Sequence, residues 1–236
     1  MTKFRRSPAI KSPATSTLNG QDSLPGTSLT SAQRRILAIA LGVVLSGYHV
    51  INQVMDHLGG GATVQIWLDR YIPLRPMWVV PYSFVLAWWG IAIVWAYLRM
   101  EDSLYVAFVA GWVSACLIGY SIFIGYPTYM VRPEVTGTGW AEWLIRFTYR
   151  NDRVYNAFPS QHVWNTLIIT LFWVRWKPEL RWGLWSLTCI VALSALFIRQ
   201  HWILDLIGGG LLGLIGYFIG LTVVTRLWPA RHARPR

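Results

Sequence analysis

The chain alternates long apolar blocks with short polar joints. The blocks cover about 36–55, 77–98, 104–126, 163–176, 182–198 and 203–227. At 1.5 Å per residue a helix needs roughly 20 apolar residues to cross a bilayer. Five blocks are near that length, and 163–176 is the shortest unless it starts at its cap. The pattern predicts an all-α polytopic membrane protein, a bundle of six transmembrane helices. Two joints have a character of their own. The stretch WAEWLIRFTY at 140–149 sets Trp140, Trp143, Leu144 and Phe147 on one helical stripe. That stripe fits an interfacial helix with its aromatics at headgroup level, or a helix packed on the bundle. The stretch LDRYIPLRPMWVVPY at 68–82 carries three prolines and reads as a rigid external loop.

Composition agrees with this reading. The chain is 54% hydrophobic and 13% charged, and it has 15 Trp among 236 residues. Soluble domains rarely look like that. The formal charge of +11 is better explained by basic flanks that set membrane orientation than by nucleic acid, so no nucleic-acid partner is expected. With the N-terminus inside, 14 of the 21 Lys and Arg fall in cytoplasmic segments and seven on the opposite side. The domain plan is a disordered basic cytoplasmic tail over 1–32, a six-helix domain over 33–228 and a second basic cytoplasmic tail over 229–236. The 127–161 loop is then extracytoplasmic, and the membrane is a cell inner membrane of bacterial type. Cys116 and Cys189 fall inside apolar blocks and read as small buried residues, not a disulfide. His49 and His57 read as packing or interfacial residues. Gly209/Gly213 and Gly216/Gly220 are small-x3-small pairs for close helix packing within the chain.

Chemistry concentrates in two stretches. In 156–165 (NAFPSQHVWN), Pro159 tolerates only the approach to a helix or its first turn, and Ser160 is a preferred cap. A hydroxyl, free backbone N–H groups and His162 therefore meet at a helix N-terminus, which favours anions. In 198–210 (IRQHWILDLIGGG), His201 stands four residues before Asp205, so the aspartate can orient the ring. The fourth helix goes in and the fifth comes back, which returns both histidines to the extracytoplasmic face. The set suits phosphoryl transfer. One histidine attacks phosphorus while an aspartate holds its far nitrogen, and the other protonates the departing alcohol. Arg132, Ser160, Arg150, Arg153 and Arg199 are candidate phosphate ligands. Two histidines and an aspartate could also ligate zinc, but there is no His-x3-His or Cys pair. No metal and no cofactor are expected.

At these residues the chain resembles the type 2 phosphatidic acid phosphatase superfamily of membrane enzymes. Its blocks are Lys-x6-Arg-Pro, Pro-Ser-x-His and Ser-Arg-x5-His-x3-Asp. The second is intact here as Pro159-Ser160-Gln161-His162. The third reads Ser194-Ala195-x5-His201-x3-Asp205, followed by Leu206-Ile207-Gly208-Gly209. The first survives as Arg132-Pro133, with Gly125 where the lysine would stand. The resemblance covers roughly residues 68–220. It implies a six-helix fold, His201 as nucleophile through a phosphohistidine, Asp205 as its orienter and His162 as general acid, with Ser160 and Arg132 on phosphate. The missing lysine and arginine, with Trp202 after the histidine, look similar to the branch of inositol phosphorylceramide synthases. There a lipid or alditol hydroxyl replaces water as acceptor. The expected activity is a lipid phosphatase, with a phosphotransferase as alternative. A non-catalytic lipid-binding or transport relative is the rival from another class.

Overall fold

The computed structural model of the protein describes Leu24 and residues 28–227. The two basic tails, apart from Leu24 and residues 28–32, lie outside the described residues. Helix α1 spans Ser31–Leu58, α2 Val79–Arg99, α3 Asp102–Gly125 and α4 Trp140–Asn151. Then follow α5 at Gln161–Trp176, α6 at Arg181–Phe197 and α7 at Ile203–Thr222, which runs on into a π turn over Val223–Leu227. Among the described residues there are two isolated β-bridges, Ala62 with Thr128 and Tyr129 with Tyr155, and no strand. The protein is all-helical.

Among the described residues, five helical segments are long and apolar enough to cross a membrane: Ser31–Leu58, Pro76–Arg99, Asp102–Gly125, Pro178–Phe197 and Ile203–Leu227. Helix α5, the remaining expected span, has 16 residues. It is about 24 Å long against an apolar thickness of about 30 Å. Its surroundings are largely protein. Twelve of its residues are buried, because α3, α6, α7 and α2 pack around it. Three of the polar side chains inside it are answered by neighbours. Trp112 Nε1 donates to Asn165 Oδ1 at 2.6 Å, Trp89 Nε1 to Thr166 Oγ1 at 3.1 Å, and Thr170 pairs with Thr188 at 2.8 Å. Such pairing offsets the cost of burying those groups.

Helix α1 starts before its apolar block because Thr30 and Gln33 form a reciprocal capping box. Directly after Gln33, Arg34 pairs with Asp102 and donates to the carbonyls of Tyr97, Ala96 and Met100. That one guanidinium clamps the start of α1 to the end of α2 and the start of α3. At its other end α1 is separated from α2 by a cavity.

The glycines of α7 set how closely the core closes. A Cβ on Gly216 would meet the Gly111 carbonyl oxygen at 2.8 Å, and one on Gly220 the Ala107 oxygen at 2.1 Å. Both contacts are with α3. On the other side a Cβ on Gly209 would meet the Ser160 oxygen at 2.5 Å. The small-residue pairs thus serve packing within the chain. Cys116 is buried as expected, whereas Cys189 is exposed, because its side of α6 has no helix packed on it. Gly209→Ala is expected to lower the thermal unfolding midpoint in detergent, at a cost of about 1–3 kcal/mol for overpacking. Gly90→Ala, with nothing within 4 Å of its Cβ, should leave the midpoint unchanged or raised.

Candidate active site

The N-termini of α5 and α7 lie side by side at one end of the bundle. The backbone N–H of Ser160 donates to the Asp205 carbonyl at 2.8 Å, which joins the Pro-Ser-x-His and His-x3-Asp segments directly. Ser160 occupies the cap position of α5, yet its hydroxyl makes no capping bond. Fully buried, that hydroxyl has no hydrogen-bond partner. A buried hydroxyl without a partner is costly, so it marks a place where a polar ligand would be satisfied.

Helix α7 is capped by two carboxylates. Asp205 Oδ2 accepts from the Trp202 N–H at 2.7 Å, and Asp69 Oδ1 accepts from the Ile203 N–H at 3.0 Å. Acidic groups suit the positive end of a helix. The same Asp205 oxygen lies 3.4 Å from His201 Nδ1, and the Ala157 carbonyl lies closer, at 3.0 Å. Both neighbours accept hydrogen bonds, so Nδ1 carries a proton and donates. In the neutral ring the Nε2 lone pair is then free to act as a base or nucleophile. The expected Asp205–His201 contact is present, and Ala157 shares it.

His162 faces His201 edge-on, with ring centroids 5.7 Å apart. Both rings are buried. On its other side His162 lies against Tyr82, centroids 4.3 Å apart, with Trp89 further out at 5.6 Å. Residues 157–160, which carry the Phe158-Pro159 cis bond, are held in register by Thr128, whose Oγ1 accepts from the Phe158 N–H at 2.8 Å.

The arginines separate into distinct surroundings. Arg132 donates to the carbonyls of Tyr149 (3.0 Å) and Arg153 (2.9 Å) and to the side chain of Gln200, the residue before His201. Its Nε and Gln200 Nε2 are buried without partners. Arg199 instead serves the proline-rich segment, donating to the carbonyls of Asp69 at 2.8 Å and Ile72 at 3.0 Å. Arg153 is exposed and lies 3.6 Å from Asp56. Arg150 is exposed on α4. At the two positions where the resemblance lacks a cation, Gly125 faces open space and Ala195 is packed among Val79, Tyr82 and Ile145.

Helix α4 lies against this end of the bundle. Ala141 and Ile145 pack on Val79, Tyr82, Ala195 and Ile198, with Leu144 beside them, while Trp140, Trp143 and Phe147 are exposed. Leu144 thus leaves the expected stripe for the packed side. Tyr149 donates to the Ile198 carbonyl at 2.5 Å, and burial pushes its phenol up to about 12, so it stays a neutral donor. Between α1, α2, α4 and the start of α5 lies a cavity of about 480 Å³. Leu45, Leu86, Leu144 and Phe147 form its apolar wall, and Asp152 and His162 contribute polar groups to its lining. Asp152, Tyr82 and Gln200 carry no motif in the sequence. Among the described residues no three His, Cys, Asp or Glu side chains cluster as metal ligands would.

Two buried histidines, one held by an aspartate, beside an unpartnered hydroxyl and a tethered arginine make a constellation suited to phosphoryl transfer. The PAP2 superfamily matches residues 123–229, the segment that carries all of these groups. The chain is also similar to the Escherichia coli (strain K12) protein named "Putative undecaprenyl-diphosphatase YbjG", with 28% identity over 180 residues, 73% of this chain and 78% of the relative. No solved structure gives a significant match. Asp69→Ala removes the acceptor of both the Ile66 and Ile203 N–H groups. It is expected to cost about 1–3 kcal/mol for each donor left unpaired, read as a lower unfolding midpoint, with Asp69→Asn losing less.

Proposed function

We propose that the chain is an integral membrane lipid phosphatase that works through a phosphohistidine on His201. The observation that carries this reading is the Nδ1-protonated, Asp205-supported His201 ring facing His162 beside the unpartnered Ser160 hydroxyl. In the first step the His201 Nε2 lone pair forms the bond to phosphorus while the bond to the lipid oxygen breaks. His162 gives its proton to that oxygen, and the lipid alcohol leaves. Water then attacks phosphorus, His162 takes its proton, and inorganic phosphate departs as the N–P bond breaks. Ser160, Arg132 and the N–H groups at the start of α5 hold the equatorial oxygens, where charge must be stabilised. Arg132 is the favoured cation because its tether to Gln200 keeps it next to His201. Arg150, Arg153 and Arg199 are secondary candidates, and Arg199 is committed to backbone carbonyls.

The apolar cavity beside His162 has the size and lining of a site for a lipid chain. The relative's name suggests a long-chain isoprenoid diphosphate as substrate class. We place the site on the extracytoplasmic side of a cell inner membrane, with six spans and both termini cytoplasmic. The distribution of the basic residues supports that orientation. The exposed Trp140, Trp143 and Phe147 support α4 as an interfacial helix. A second reading, transfer to a lipid or alditol hydroxyl in place of water, draws on the two missing cations at Gly125 and Ala195.

Purified protein with a labelled panel of lipid phosphates and diphosphates, with and without added alcohols, separates these readings. Wild type is expected to release inorganic phosphate. His201→Ala should fall to background, and His162→Ala should lose about 10²–10⁴-fold in kcat. Arg132→Ala should be impaired far more than Arg150→Ala. Label passing only to an added alcohol would establish a transferase. Full activity in His201→Ala would refute the mechanism.

A further inference from the structure

Asp152 lies just past the end of α4, its backbone N–H donating to the Thr148 carbonyl at 2.9 Å. The chain around it is pinned to α1, because Asn52 donates to the Tyr155 carbonyl at 2.9 Å and accepts from the Arg153 N–H at 3.2 Å. Two phenols converge on the carboxylate. Tyr48 of α1 donates to Oδ1 at 2.7 Å and Tyr82 of α2 donates to Oδ2 at 2.9 Å. Among the described residues no lysine or arginine forms an ion pair with it. An anion so placed, in a largely apolar wall, favours a positive charge nearby. The cavity that Asp152 lines also exposes the ring of His162.

Tyr82 connects the two. Its ring lies on that of His162 with centroids 4.3 Å apart, and its oxygen is 3.5 Å from His162 Nδ1. Because the Tyr82 hydroxyl proton is given to Asp152, the oxygen presents a lone pair to Nδ1. An Nδ1–H would donate to it and leave the Nε2 proton for a substrate. The other groups about His162 are Trp89 from α2 and His201 from the start of α7, neither of which supplies an anion.

We propose that Asp152 and Tyr82 are positioning residues for the proton donor His162. Asp152 polarises the Tyr82 hydroxyl, and Tyr82 fixes the ring and supports its doubly protonated form. This rests on the reading of His162 as general acid. In the step served, the bond between phosphorus and the leaving oxygen breaks and the His201 nitrogen–phosphorus bond forms. The Nε2 proton of His162 moves to the leaving oxygen, and Asp152 and Tyr82 keep their own protonation states.

The test compares two substrates of different need. Decyl phosphate has a poor leaving group that requires a proton, whereas p-nitrophenyl phosphate has a good one that does not. Asp152→Asn and Tyr82→Phe are each expected to lower kcat/KM, which reports formation of the phosphohistidine and not its later hydrolysis, by about tenfold or more for decyl phosphate while leaving that for p-nitrophenyl phosphate within about twofold. His162→Ala should show the same contrast, only deeper. Equal losses on both substrates in Asp152→Asn and Tyr82→Phe, with the contrast retained in His162→Ala, would overturn the proposal and leave the general acid standing. Absence of the contrast in His162→Ala would remove the general acid and the proposal together. Should Asp152→Asn fail to fold, Tyr82→Phe decides, since it keeps the stacked ring and loses only the hydroxyl.

Discussion

The hydrogen bond from the Ser160 backbone to the Asp205 carbonyl is the contact on which the site depends. It joins two helix N-termini that are 45 residues apart in the chain, and it does so at the level of the main chain. Such proximity requires that nothing project from α7 at Gly209, where a Cβ would come within 2.5 Å of the Ser160 oxygen. Two helix ends so close bring the free N–H groups at the start of α5, which favour anions, beside an α7 end whose Trp202 and Ile203 N–H groups are taken by Asp205 and Asp69. The histidines ride on these ends, His162 in the first turn of α5 and His201 just ahead of α7, so their mutual geometry follows from the helix packing.

Around this joint the protein divides its labour between rigid packing and an open side. Helices α3, α5 and α7 form the tight centre, with α7 and α3 brought together by glycines and Ala107. Helix α1 is fastened at one end through Arg34 and leaves a cavity toward α2 at the other. Asn165 Oδ1, Thr166 and Thr170 of α5 find partners deep in the bundle, while the Ser160 hydroxyl, Arg132 Nε and Gln200 Nε2 at the site have none. Unmet hydrogen-bonding capacity is thus present beside the two histidines, and apolar volume lies next to it. The PAP2 superfamily match covers α4 to α7 and the polar face, while α1, α2 and nearly all of α3 lie outside it.

Much of the fold was legible because it is local. Apolar block lengths located α1, α2, α3, α6 and α7 to within a few residues, and the Pro159-Ser160 pair located the start of α5. The pairing of His201 with Asp205 followed from helical spacing of four. Other features were not legible. Cys189 sits in an apolar block and is nevertheless exposed, because hydropathy does not separate a lipid-facing side from a core-facing one. Leu144 shares a stripe with three exposed aromatics yet packs on the bundle, since the angle at which a helix docks is set by its neighbours.

The sequence by itself determined which segments are helical, where they start, and that two histidines, an aspartate and a serine stand at helix ends. These depend on periodicity, capping and spacing within one stretch of chain. Tertiary structure alone decided how the remaining polar residues are committed. Four candidate arginines look alike on paper and Asp152 carries no motif, but Arg199 goes to the 69–72 segment, Arg153 to Asp56, Arg132 to Gln200 and Asp152 to Tyr48 and Tyr82. The physical reason is distance along the chain. The two tyrosines lie 104 and 70 residues from Asp152, and no local rule brings groups so far apart within hydrogen-bonding reach. Only the closing of α1, α2 and α4 around the start of α5 does so.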